Sequence, residues 1–83
     1  MTKDFGAMLK SIVNQEPGIY TICDINANGI ISIETQMNDK RLYDLWIKTN
    51  STTYATKDLP VEDVLVAFIS VCKSQKIPAF AMK

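Results

Sequence analysis

The chain has no histidine, two cysteines and three glycines among its 83 residues. Without histidine it lacks the most common general base and the most common zinc ligand of proteins. Two cysteines cannot supply a four-thiolate zinc site, and scattered glycines cannot build a phosphate-binding loop. The sequence therefore predicts a protein that is not an enzyme and that uses no cofactor.

An excess charge of either sign is also missing, because nine basic residues balance nine acidic ones. Proteins that bind the phosphate backbone need clustered lysine and arginine, and the only adjacent basic pair here is Lys40-Arg41, which follows Asp39. The longest apolar run, Val64 to Ile69, has six residues, whereas a membrane span needs about 20. We therefore expect a cytoplasmic protein without a membrane segment or an export signal.

The residues that are present favour a folded domain, because 47% are hydrophobic and 22% are charged. We expect one small domain over residues 1–83. Both thiols are expected to be small buried side chains, with a disulfide as the alternative in an exported protein.

Apolar residues recur with helical spacing near both ends of the chain. The first helix is predicted over residues 2–15, with Thr2 as its N-cap. The second begins at Pro60 and ends before Pro78, and Val66 and Val71 make its apolar surface wider than one sheet contact requires. An apolar tail follows over residues 77–82.

Strand signals fill the middle of the chain. Residues 19–25 are rich in β-branched and aromatic side chains, residues 26–29 form an Asn- and Gly-containing turn, and residues 30–37 alternate. Residues 41–49 are predicted as a third strand, although their apolar spacing also fits a helix. Residues 51–56 form either a fourth, edge strand or a loop.

This order predicts an α+β two-layer sandwich. Its parts are an N-terminal helix, an antiparallel meander of three strands with a fourth as the alternative, a C-terminal helix and the short tail. If Ile31, Ile33 and Tyr43 face the helices, the other sheet face also carries apolar side chains, unless the tail covers it. The residues predicted to form a protein interface are Tyr20, Ile22, Ile30, Leu42, Trp46, Val66 and Val71.

Residues 24–35 resemble an EF-hand calcium loop. The oxygen donors at its first five ligand positions and the nearest carboxylate are Asp24, Asn26, Asn28, Ile30 through its carbonyl, Ser32 and Glu34. The final position is Thr35, so the bidentate carboxylate that anchors calcium is missing, and Glu34 comes one residue early. A hairpin turn rich in asparagine explains the same residues.

These features favour a non-enzymatic protein–protein interaction or regulatory module, such as an accessory factor or an inhibitor, that self-associates as a homodimer. The alternative is a nucleic-acid-associated regulator, which the charge balance disfavours. Its predicted contact residues are Lys40, Arg41, Lys48, Lys57 and Tyr54. Calcium binding is the third hypothesis.

Overall fold

A computed structural model describes residues 5–82 of the chain. Its helices and strands are α1 (Phe5–Val13), β1 (Ile19–Ile22), β2 (Ile30–Met37), β3 (Tyr43–Thr49), β4 (Thr53–Leu59) and α2 (Val61–Ile69). A π-helical turn over Ser70–Ser74 continues α2, and a 3-10 turn covers Ala79–Ala81. None of the helices within residues 5–82 is long and apolar enough to cross a membrane. The predicted N-cap at Thr2 lies outside the described residues.

The four strands form one antiparallel sheet in the order β1-β2-β3-β4. This confirms the predicted α+β class, in which one helix precedes the strand meander in the chain and one helix follows it. It also settles both open alternatives, since residues 43–49 are a strand and β4 is a fourth, edge strand. β1 ends three residues before the predicted boundary at Ile25. The regular ladder with β2 ends there because Asp24 and Asn26 adopt positive φ angles of 59° and 50°, although the Ile25 amide still donates to the Ile31 carbonyl at 3.0 Å.

The predicted turn between β1 and β2 is confirmed. Asn28 and Gly29 both have positive φ, at 52° and 79°, which is the requirement of a type I′ hairpin turn. The Ile30 amide closes this turn by donating to the Ala27 carbonyl at 2.9 Å. Asparagine and glycine are the residues that accept this backbone conformation at the lowest cost.

One hydrophobic core joins both helices to one face of the sheet. α1 contributes Ile12, α2 contributes Val64 and Phe68, and β3 contributes a row of alternate residues that includes Tyr43 and Leu45. All five are at most 1% exposed. The Tyr43 hydroxyl also donates a hydrogen bond to the Ile12 carbonyl at 3.3 Å, so the most buried strand is tied to α1.

Four residues predicted for the interface lie in this core or pack against it instead. Tyr20 pairs with Thr35 and Ile22 pairs with Ile33, so both side chains face the core. Ile30 is 2% exposed, because a bulge between Ile30 and Ser32 breaks the alternation of β2. Val71 is fully buried, because the π-helical turn changes the rotation of the chain after Ile69. Placing these four on a solvent-facing surface was wrong.

The apolar tail packs on the core and not on the other sheet face. Ala81 is 1% exposed, and Ile77 and Phe80 contact the core cluster. The 3-10 turn that contains Ala81 lies against β4. The two thiols are free, and Cys23 is exposed while Cys72 is half-buried, so the expected burial of Cys23 was wrong.

Candidate interaction face

The sheet face opposite the core, called the open face below, is built around Trp46. The strand registers place one transverse row of side chains on it, one from each strand: Thr21, Glu34, Trp46 and Ala55. Trp46 is half-buried beside the small, exposed Ala55 on edge strand β4. Because an alanine on that side covers little of an indole, part of the Trp46 ring stays accessible.

Among residues 5–82, three large apolar residues are half-buried without joining the core, namely Ile31, Leu42 and Trp46. Trp46 lies at the centre of the open face, and the alternation of β3 continued backward places Leu42 on the same side. Ile31 lies at the β2 bulge. A partly exposed tryptophan with charged neighbours is typical of a protein interface, where tryptophan is a preferred anchor.

Charged side chains of both signs surround Trp46 on the open face. β3 carries Asp44 two residues before the tryptophan and Lys48 two residues after it, on the same side of the strand. Glu34 lies directly beside Trp46 on β2 and accepts a hydrogen bond of 3.2 Å from the Thr21 hydroxyl. This part of the face therefore carries charges of both signs and is not uniformly basic or acidic.

The structure splits the predicted interface into separate places. Trp46 and Leu42 lie on the open face, as the sequence predicted. Val66 is 48% exposed on α2, the helix whose Val64, Ala67 and Phe68 contact the core side of the sheet. Val66 and Trp46 therefore do not form one continuous surface.

The residues predicted for nucleic-acid binding are not gathered into one basic surface. The Lys40 ammonium lies 3.1 Å from the Asp58 carboxylate, and Tyr54 pairs with Ile47 and packs against the core. Arg41 is exposed in the turn before β3. Lys48 and Lys57 fall on the side of Trp46, by the alternation of their strands.

The residues predicted to bind calcium are divided between the hairpin loop and the strand that follows it. Asp24, Asn26 and Asn28 are exposed in the loop after β1, and the Asn28 amide donates to the Gln75 carbonyl at 2.9 Å. Across residues 5–82, no group of three or more His, Cys, Asp or Glu side chains is placed to hold a metal ion. These contacts favour the hairpin-turn interpretation over calcium binding.

A cavity of about 390 Å³ was not found by sequence reasoning. It lies between α1, the end of β1 and the π-helical turn, and its lining residues are Phe5, Met8, Thr21, Ile22, Cys23, Cys72 and Lys73. Burial raises the pKa of the Cys72 thiol, against a smaller opposing effect of Lys73. Three distant segments of the chain meet here, and no local pattern in the sequence links them.

Ser70 and Lys73 have the Ser-x-x-Lys spacing of a nucleophile and its base. The Lys73 ammonium is instead held over the Phe5 ring, at 5.3 Å from the ring centroid. Nothing in this arrangement activates the Ser70 hydroxyl, so the spacing gives no argument for catalysis.

Comparisons of the chain with protein-family models, with curated proteins and with solved structures found no match.

Proposed function

We propose that the protein is a non-enzymatic, cytoplasmic interaction module that self-associates through the open face. The observation that carries this proposal is the half-buried Trp46, which lies outside the core at the centre of the open face, among charged side chains. Burying an aromatic side chain of this kind in an interface gives a large part of the binding energy of many complexes.

The charges beside Trp46 favour a second copy of the chain as the partner. Consider two sheets packed face to face about a two-fold axis that crosses β3 at Trp46, at right angles to the strand. The two copies of β3 then run antiparallel, and Asp44 of each copy lies over Lys48 of the other. Each opposite-charge pair forms twice, as it must in a symmetric dimer.

The same geometry brings one unfavourable contact. Glu34 lies beside Trp46 in the transverse row, and that row lies along the two-fold axis. Glu34 of one copy therefore faces Glu34 of the other, and their repulsion weakens the dimer. We accordingly propose a reversible dimer, as a regulatory role requires.

The test is the dissociation constant of the dimer, measured by sedimentation equilibrium in reducing buffer. Wild-type protein should show a concentration-dependent mass between 9.3 kDa and twice that value. Trp46→Ala should raise the dissociation constant by at least about tenfold. Lys48→Glu should also raise it, because each Asp44 would then face a carboxylate.

Val66→Glu is the matched control, since it changes an exposed apolar residue on α2 and should leave the dissociation constant unchanged. Circular dichroism should show that all three variants are folded. A wild-type mass of one chain at every concentration would refute self-association. Weakening by Val66→Glu but not by Trp46→Ala would move the interface to α2.

A further inference from the structure

The walls of the 390 Å³ cavity are largely apolar. Phe5, Met8 and Ile22 line it, and all three also pack against the hydrophobic core, which holds them in place. Cys72 adds a thiol whose raised pKa keeps it protonated and uncharged near neutral pH. A volume of this size falls within the range of roughly 300–1,000 Å³ that is typical of small-molecule sites.

The mouth of the cavity carries one positive charge. Lys73 lines the cavity and is exposed, and its ammonium is held 5.3 Å from the centre of the Phe5 ring. In the described part of the chain, the only ammonium–carboxylate contact within 4.0 Å joins Lys40 to Asp58. No carboxylate of residues 5–82 therefore neutralises Lys73 at this distance.

A second cavity of about 370 Å³ adjoins the first along α1 and β1. Both cavities have Met8 and Thr21 among their lining residues.

We propose that the cavity binds a small amphipathic carboxylate of the medium-chain fatty acid class. The alkyl chain lies against Phe5, Met8 and Ile22, and the carboxylate binds the ammonium of Lys73. An apolar wall with one cation that no carboxylate of residues 5–82 contacts complements such a molecule, because an alcohol lacks the charge and an amine has the wrong sign. This inference does not rest on self-association.

The experiment is calorimetric titration with octanoate near neutral pH, with octanol and octylamine as probes of equal chain length. Octanoate should bind with a millimolar or lower dissociation constant, octanol more weakly and octylamine not at all. Hexanoate should bind more weakly than octanoate, because each methylene adds apolar contact.

Lys73→Met keeps most of the aliphatic stem and removes the charge, so it should weaken octanoate binding roughly fivefold. It should leave octanol binding unchanged. Lys76→Met is the matched control, since Lys76 is an exposed lysine close by that does not line the cavity. This control should bind octanoate like the wild type.

The two thiols give an independent measurement, because Cys23 and Cys72 both line the cavity. Octanoate should slow their alkylation by iodoacetamide, followed for each residue by mass spectrometry, and octylamine should not. The proposal is overturned if octanoate does not bind, if octanol binds as tightly, if both lysine variants weaken binding equally, or if neither thiol is protected.

Discussion

Thr35 and Thr56 of the sheet differ in whether the side-chain hydroxyl makes a hydrogen bond. A valine substitution should therefore change the stability of the fold in opposite directions at the two positions. The Thr35 hydroxyl is fully buried and donates to the Asp44 carbonyl at 2.8 Å. The Thr56 hydroxyl oxygen is also buried but has no hydrogen-bond partner among residues 5–82. Burying an unsatisfied hydroxyl costs free energy, whereas a satisfied one contributes to stability.

Thr56→Val should therefore raise the free energy of unfolding by about 1 kcal/mol, because it keeps the β-branched shape and removes the unsatisfied group. Thr35→Val should lower it by about 1 kcal/mol. Urea unfolding of the wild type and both variants, at one protein concentration, measures the two changes. A loss of stability in both variants would show that the Thr56 hydroxyl has a partner such as a bound water.

At the scale of elements, the connection before β3 is tied to β4 by charged and amide groups. The Asn38 amide donates to the Asp44 and Asp58 carboxylates at 3.0 and 2.7 Å, and the Lys40 ammonium lies 3.1 Å from Asp58. The hydrogen bond from Lys40 is the largest of the effects that lower the pKa of Asp58. The hydrogen bond from Asn38 lowers this pKa as well. Asp58 itself adopts a positive φ of 61° at the β4 bulge.

This lowered pKa predicts a pH dependence of stability. A carboxyl with a lower pKa in the folded state stabilises the fold above its unfolded pKa of about 3.9. That contribution is lost as the pH falls through the lower folded value. Asp58→Asn should therefore destabilise the protein near neutral pH, and the difference from the wild type should shrink under acid conditions.

Urea unfolding near neutral pH and at about pH 3 measures this difference. Asparagine tolerates the positive φ of Asp58, so the variant removes the charge without a new backbone strain. Asp39→Asn removes an exposed carboxylate from the same turn and is the matched control, with no change expected. An equal loss at both pH values would contradict a role for the Asp58 charge.

The helices and strands were predictable from the sequence where apolar residues recur at a regular spacing. The burial of single residues was not predictable where an extra residue interrupts that spacing. The alternation in β2 predicted a strand, but the bulge at Ile30 moves that side chain into the core. The helical spacing of apolar residues predicted the helical region after Pro60, but the π-helical turn buries Val71. Tertiary packing decides such local insertions, and a repeat of fixed period cannot encode them.

At the scale of the whole molecule, the sequence predicted a sheet with apolar residues on both faces, but it assigned only some of those residues to the correct face. Trp46 lies on the open face as expected, because β3 alternates without interruption from Tyr43 to Ile47. Tyr20 and Ile22 were misplaced because their face depends on the register between β1 and β2, which the turn residues alone did not fix. The cavity depends on three distant segments and could not be predicted at all.

The two-fold symmetry of the proposed dimer makes a further prediction. With antiparallel copies of β3 stacked at Trp46, Glu34 faces its own copy, so removing its charge should strengthen association. Glu34→Gln should lower the dimer dissociation constant by roughly threefold at low salt, and by less at high salt. The glutamine carbonyl still accepts the hydrogen bond from Thr21, so the sheet itself should not change.

Glu62→Gln on α2 makes the same change in net charge on an exposed residue away from the open face. Sedimentation equilibrium at low and high salt should therefore show tighter association for Glu34→Gln alone. If both variants tighten the dimer equally, the effect comes from total charge and not from the two-fold contact. If Glu34→Gln weakens it, the carboxylate faces a cation in the partner, and the copies of β3 are not stacked antiparallel at Trp46.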